Sequence, residues 1–113
     1  MKFSQSLKKN RDFQNVYKKG TSFANSYLVM YILENGLQEN RIGISVSKKV
    51  GNSVKRNRAR RLMKESYRQL SSGLPQGGYD FIIIARNTIS GKKCADVEKS
   101  LRSAFRRTGV MEK

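Results

Sequence analysis

The sequence predicts a two-layer α/β sandwich built on one mixed sheet. The chain has 113 residues, which fits one domain, and 37% of them are hydrophobic, which is enough to form a core. Segments with a helical repeat of apolar residues alternate with short β-branched segments, in the order helix, strands, helix, strand, helix. We therefore expect residues 1–113 to fold as a single domain.

The first predicted element is a short helix from Asn10 to Lys19. Phe13, Val16 and Tyr17 follow the i, i+3, i+4 spacing of one helix face. Gly20 comes directly after this segment, where a glycine commonly provides a left-handed C-terminal cap. The helix is therefore predicted to end at that glycine.

Two strands are predicted next. Residues 27–33 are rich in β-branched and aromatic side chains, and residues 41–47 alternate between apolar and small or polar side chains. One face of the second strand has small residues, among them Gly43 and Ser45. Such a face is flat and open, which suits either a position beneath a loop or the floor of a groove. The second strand places Ile42, Ile44 and Val46 on one face, and Arg41, Gly43, Ser45 and Ser47 on the other.

The second half of the chain predicts a long helix from Ser53 to Leu70, a buried strand from Tyr79 to Ala85 and a last helix over residues 92–107. Ser53 is positioned to cap the long helix, and a glycine- and proline-containing turn at residues 73–78 follows it. The positions predicted to face the core are Ala59, Leu62, Met63, Ser66 and Leu70 on the long helix, and Cys94, Val97, Leu101, Ala104 and Phe105 on the last.

The opposite side of the long helix is cationic. Between Lys48 and Arg68 the chain has nine Lys and Arg residues, and its one acid there is Glu65. Like charges at helical spacing destabilise a helix unless an anion neutralises them. The central positions are Asn57, Arg61, Lys64 and Arg68, flanked by Arg56, Arg58 and Arg60, whereas Lys55 is predicted to project toward the core side.

The whole chain carries a formal charge of +16, from 24 Lys and Arg against 8 Asp and Glu, with no His. Such a charge favours a polyanionic partner, which leaves nucleic acid, an anionic membrane or an acidic protein. No apolar run approaches the ~18 residues of a membrane span, and the N-terminal sequence has no apolar signal core. We therefore expect a cytoplasmic protein that binds nucleic acid and no membrane.

Four blocks of the sequence carry a resemblance to a known family. The motif Arg56-Asn57-Arg58, inside its basic stretch, resembles the signature of the bacterial ribonuclease P protein component. The blocks at residues 7–13, 41–47 and 79–86 resemble the first helix, a central strand and the last strand of that family, in the same order. The resemblance extends over nearly the whole chain.

The resemblance implies further detail of the fold. It implies a four-stranded sheet with three helices in the order αβββαβα, with an additional short strand near residues 22–25. It also implies a left-handed strand–helix–strand crossover through the basic helix, against the right-handed rule that holds in ~98% of such units.

The resemblance also implies two binding surfaces. One would bind the ribonuclease P RNA subunit and the other the single-stranded 5′ leader of precursor tRNA, whose bases stack on aromatic rings. The residues that match the RNA-subunit surface are Lys48, Lys49, Arg56, Asn57, Arg58, Arg60, Arg61, Lys64 and Arg68. Those that match the leader cleft are Phe13, Tyr17, Tyr31, Gly43 and Ser45.

No catalytic residue or metal ligand is predicted on the protein. It has no His, and its eight acids are scattered without the spacing of a metal pair. The resemblance implies that the RNA subunit and its bound magnesium perform the hydrolysis, and that the protein is a monomer in a complex of one protein and one RNA.

Three alternatives remain open. A structural ribosomal or general RNA-binding protein would explain the charge but not the four ordered blocks. A self-sufficient nuclease lacks the residues for catalysis. A membrane-surface helix would need aromatic anchors on a large apolar face, which the basic helix does not have.

Overall fold

A mixed five-stranded sheet lies at the centre of the protein in the computed structural model, which describes residues 4–7 and 9–111. Three short 3₁₀ turns, at Lys48–Val50, Ser71–Gly73 and Asn87–Ile89, connect the main elements. The strands are β1 (Ser4–Ser6), β2 (Thr21–Ala24), β3 (Leu28–Glu34), β4 (Asn40–Val46) and β5 (Tyr79–Ala85), and the helices are α1 (Asn10–Lys19), α2 (Ser53–Leu70) and α3 (Cys94–Arg107).

The strands lie in the order β1-β4-β5-β3-β2. Strand β4 is parallel to both β1 and β5, whereas β3 is antiparallel to both β5 and β2. The predicted three helices and four strands are confirmed, and the expected additional strand is β2. Strand β1 is a fifth, unpredicted strand, and the hand of the crossover through α2 stays a prediction.

Helices α2 and α3 cover one face of the sheet and enclose the larger core. Tyr67, Phe81 and Phe105 are buried at its centre, with ring centroids 5.1 to 6.2 Å apart. The sequence prediction missed Tyr67, although it lies four residues after Met63. Cys94 was predicted to face the core but is only half-buried, with its Sγ 3.8 Å from Ser66 Oγ.

Of the helices in the described part of the chain, only α1 packs on the other face of the sheet. Leu7, Val16 and Ile82 are buried there and form a smaller, separate cluster. Phe13 and Tyr17 of α1 pack on this cluster while remaining half-buried. Because one helix of ten residues covers this face, part of the sheet beside it stays accessible.

Helix α1 ends at Gly20 as predicted, but the left-handed conformation predicted for that cap was wrong, and so was the predicted cap of α2. Gly20 is extended, with φ −78° and ψ 163°, and a Cβ there would lie 2.6 Å from the Val16 carbonyl oxygen and 2.7 Å from that of Ile32. Close backbone packing, rather than a left-handed conformation, therefore explains this glycine. At α2 the cap is Asn52, whose Oδ1 accepts a hydrogen bond of 3.0 Å from the Lys55 amide, and Ser53 is the first helical residue.

A buried ion pair joins α1 to the sheet. Arg41 donates two hydrogen bonds to Asp80, Nε to Oδ1 at 2.8 Å and Nη2 to Oδ2 at 2.6 Å. Asn35 Nδ2 donates to the same carboxylate at 2.8 Å, and Arg41 Nη1 lies 3.4 Å from Asp12 Oδ2 on α1. The hydrogen bond to Asp80 raises the pKa of Arg41 further above its ordinary value, although burial opposes the shift. The arrangement fixes the first turn of α1 against β4 and β5.

Candidate RNA interface

The exposed side of α2 carries a continuous basic face, which we define as Asn57, Arg61, Lys64 and Arg68. All four side chains are exposed, on the side of the helix opposite to the buried Ala59 and Met63. Their spacing of three or four residues places them in one row along the helix. The structure therefore brings the central predicted residues together on one surface.

The electrostatics of the α2 N-terminus favour an anion. Its first turn contains no acid, and the preceding 3₁₀ turn exposes Lys48 and Lys49. Cations near a helix N-terminus oppose the helix dipole, whose positive end lies there. An anion bound at this end would relieve both the dipole and the mutual repulsion of the basic side chains.

The flanking arginines do not all lie on the basic face. Arg58 Nη2 donates to the Lys92 carbonyl oxygen at 2.9 Å, which directs this side chain toward the start of α3. Arg60 Nη1 donates to Asn57 Oδ1 at 3.0 Å, and Arg56 Nη2 donates to Ser53 Oγ at 3.3 Å. Arg56 and Arg60 are half-buried. The seven predicted residues of α2 therefore lie on more than one side of the helix, and the other two, Lys48 and Lys49, precede it.

Arg68 differs from the rest of the basic face because it has an acidic partner. Its guanidinium donates to both carboxylate oxygens of Glu65, one of them at 3.0 Å. This hydrogen bonding lowers the pKa of Glu65 and raises that of Arg68. Within residues 4–7 and 9–111, Arg61 and Lys64 enter no ion pair, so they keep their full charge for a ligand.

Two residues at the start of α2 differ from the sequence interpretation. Lys55 was predicted to face the core but is exposed. The core side of the first helical turn faces a cavity of about 350 Å³ beside Gly91, rather than the sheet, and Lys55 lines that cavity. Val54 was not predicted as a site residue, yet it is 74% exposed, three residues before Asn57. It adds an apolar contact beside the basic face.

Three aromatic side chains gather on the other side of the sheet. The ring centroids of Phe13 and Tyr17 are 6.4 Å apart, and those of Tyr17 and Tyr31 are 5.0 Å apart in an edge-to-face arrangement. All three rings are half-buried, so they pack on the smaller core and still present surface to solvent. Burial raises the pKa of Tyr17, and the neighbouring Tyr31 adds to the shift.

The floor beside these rings differs from the prediction. Gly43 is buried beneath Phe13, and a Cβ added there would lie 2.7 Å from the Phe13 ring, so this glycine seats the ring instead of forming an open floor. The register places Ser45, Ile84 and Val29 side by side in the next row, and all three are half-buried. We call these three residues and the rings of Phe13, Tyr17 and Tyr31 the aromatic cleft.

Ile84 and Val29 were missed as site residues because only the strand register reveals that they lie beside Ser45.

Among the described residues, no three His, Cys, Asp or Glu side chains are close enough to hold a metal ion; Glu112 lies outside that part of the chain. No helix in residues 4–7 and 9–111 is long and apolar enough to cross a membrane.

Comparison with known proteins agrees with the fold and with the resemblance. The family model for ribonuclease P matches residues 1–109. The ribonuclease P protein component of Clostridium acetobutylicum is 50% identical over 107 residues, which cover 93% of this chain and 89% of that protein.

Two solved structures share the fold. A Staphylococcus aureus RNase P protein mutant with defective mRNA degradation activity superposes with a TM-score of 0.86 at 37% identity, covering 94% of this chain and 89% of the other. The RNase P protein from Thermotoga maritima gives a TM-score of 0.81 at 30% identity, covering 91% and 96%. The chain therefore belongs to the ribonuclease P protein family.

Proposed function

We propose that this chain is the protein subunit of ribonuclease P and that it assists removal of the 5′ leader from precursor tRNA. In this proposal α2 and the turn before it bind the RNA subunit, and the aromatic cleft binds the leader. The RNA subunit and its magnesium perform the hydrolysis, in a cytoplasmic complex of one protein and one RNA. The protein's contribution is to hold the substrate and to broaden the range of leaders accepted.

The observation that carries the proposal is the unneutralised charge at the start of α2. Lys48 and Lys49 are exposed before a helix whose first turn has no acid, and Arg61 and Lys64 follow on its outer side. Arginine is suited to this surface because its planar guanidinium donates two hydrogen bonds to one phosphate. The negative charge of a polyphosphate backbone is complementary to this surface.

The aromatic cleft supports the second half of the proposal. Stacking on a ring recognises any base, because every base has a π-face, and this tolerance is what a protein that acts on many leaders needs. The rings of Tyr17 and Tyr31 hold each other at 5.0 Å, so the cleft is formed before a ligand arrives. The sheet separates it from the basic face, so RNA subunit and leader would contact opposite layers of the protein.

Replacing Arg61 with Ala should weaken binding of the RNA subunit and flatten the plot of log affinity against log salt. The removal of one phosphate contact should reduce the slope by about 0.7–0.9. Affinity measured at four or five salt concentrations gives this slope. Arg68→Ala is the matched control, because Glu65 already neutralises part of its charge and a smaller change is expected. Equal slopes for wild type and Arg61→Ala would remove Arg61 from the RNA contact.

The purified protein alone should leave precursor tRNA uncut in magnesium, and it should restore leader cleavage when added to a ribonuclease P RNA at low magnesium. Gel analysis of the 5′ products measures both outcomes. Site-specific cleavage by the protein alone would assign catalysis to it. Tight RNA binding without restored cleavage would favour a structural RNA-binding protein.

A second substrate belongs in the same assay. One of the similar structures is a Staphylococcus aureus RNase P protein mutant with defective mRNA degradation activity. For this reason an unstructured mRNA fragment should also be incubated with the protein alone. We expect no cleavage from this chain, since His is absent and the described acids form no cluster. Cleavage that persists in the variant Arg61→Ala and in repeated preparations would establish a separate activity.

A further inference from the structure

A cavity of about 740 Å³ lies between α2 and the edge of the sheet formed by β1 and β4. It is on the opposite side of the sheet from the aromatic cleft, and neither proposed RNA contact uses its interior. Its volume is within the range of about 300–1,000 Å³ that is typical of small-molecule sites. The cavity is therefore large enough for one nucleotide.

The floor of this cavity is apolar. Ile42 and Ile44 of β4 project into it, together with Tyr67 of α2. Ile44 is half-buried and packs only at the border of the larger core, so part of its side chain is available to a ligand. Ile42 and Tyr67 are already buried, so a flat apolar body on this floor would mainly remove the exposed part of Ile44 from water, which is favourable.

The rim of the cavity is charged and polarised along α2. Arg60, Arg61 and Lys64 lie toward its N-terminal end, where no acid accompanies them. Glu65, hydrogen-bonded to Arg68, lies at the other end. A phosphate would thus be attracted to the first end, whereas a group with N–H donors would find an acceptor at the second.

We propose that this cavity binds a single unstacked nucleotide of the RNA subunit, with its base on the Ile42–Ile44 floor and its phosphate against Arg60, Arg61 and Lys64. A nucleotide matches both parts of this cavity. Its base is planar and has N–H donors on its edge, and its phosphate is anionic. A lone phosphate would leave the floor uncovered, and an apolar ligand would leave the cations unpaired. The inference rests on the proposed function, because it assumes that α2 lies against the RNA subunit.

The variant Ile44→Phe tests this inference, because the larger ring projects from the floor into the space proposed for the base without changing any charge. We expect RNA-subunit affinity to fall by about 5-fold or more, the low end of the range for losing one stacked base. Its slope of log affinity against log salt should equal that of the wild type, unlike the slope of Arg61→Ala. Chemical probing of the bases should show one nucleotide that the wild type protects and that Ile44→Phe leaves reactive. Leu37→Phe is the control for an added surface ring, because Leu37 is 50% exposed in a turn outside every proposed contact.

The possible outcomes are distinct. Unchanged affinity and an unchanged protection pattern in Ile44→Phe, with an unchanged melting temperature, would overturn the inference and leave the proposed function intact. A wild-type protein that does not bind the RNA subunit would instead overturn the proposed function. If Ile44→Phe lowers the melting temperature, Ile44→Val enlarges the cavity at lower risk to the fold, and the same nucleotide should then stay protected. Loss of that protection in Ile44→Val as well would overturn the inference. The loss would then accompany reduced stability of the protein and would not depend on a ring that occupies the floor of the cavity.

Discussion

Replacing Tyr17 with Leu should weaken binding of precursor tRNA by roughly 5- to 150-fold, the range of about 1–3 kcal/mol for one base stacked on an aromatic ring. Leucine keeps an apolar side chain over the smaller core but removes the ring that contacts Tyr31. Mature tRNA has no leader to place in the aromatic cleft, so its affinity should not change. Affinities of the reconstituted complex for both RNAs measure the difference.

The matched control is Tyr27→Leu. Tyr27 is also half-buried, but it packs at the border of the larger core, where its ring contacts Lys92. The variant Tyr27→Leu should change the affinity for neither precursor nor mature tRNA. If Tyr17→Leu weakens precursor and mature tRNA equally and also lowers the melting temperature, Tyr17 is a packing residue and the aromatic cleft does not bind the leader.

Replacing Arg41 with Met should lower the free energy of unfolding by about 3 kcal/mol, the low end of the range for breaking a buried ion pair. The variant leaves the Asp80 carboxylate, which is 1% exposed, with Asn35 as its remaining side-chain donor. Arg41 itself is 24% exposed, so some water reaches the site and the full effect is not expected. Urea denaturation followed by circular dichroism measures the change.

Two comparisons make this prediction specific. The double variant Arg41→Met with Asp80→Asn removes the buried charge together with its partner, so it should recover part of the lost stability. Arg68→Met breaks an ion pair at the surface, where salt bridges contribute little, and should leave the unfolding midpoint almost unchanged. Equal destabilisation by Arg41→Met and Arg68→Met would show that burial of Asp80 does not determine the effect.

Elements with a clear local pattern were predicted to the residue. The bounds of α1, α2 and β5 agree with the sequence prediction because the two helices have a regular apolar repeat, β5 is a short apolar run, and each ends at a distinct change of composition. Strand β1 was missed, since it is three polar residues whose only strand signal is pairing with β4, more than thirty positions away. Local sequence does not contain that information.

The residues of the candidate site were also predicted correctly only where their position depends on local sequence. Helical periodicity placed Arg61 and Lys64 on one exposed face, because that face depends only on the helix itself. Periodicity failed for Lys55, since it gives a direction around the helix axis and not what lies in that direction. The same repeat that predicted Met63 and Leu70 also contains Tyr67, so its burial was available from the sequence and was overlooked.

The aromatic cleft required more than local pattern. Its rings come from α1 and β3, and only the family resemblance brought them together before the structure did. Gly43 shows the limit of composition: a glycine on a strand face indicates open space, but here Phe13 occupies that space. The register that aligns Ser45 with Ile84 depends on pairing between strands separated by α2, which no local window of sequence contains.

The short strands at both edges of the sheet have a consequence for how copies of the protein behave toward each other. The order β1-β4-β5-β3-β2 places strands of three and four residues at the two edges. A long edge strand is a template on which a second chain can add its own strand, and natural proteins avoid this by keeping edge strands short. Because copies with a formal charge of +16 also repel one another, edge-to-edge aggregation is opposed by both geometry and charge. The protein is therefore suited to remain dispersed during its synthesis.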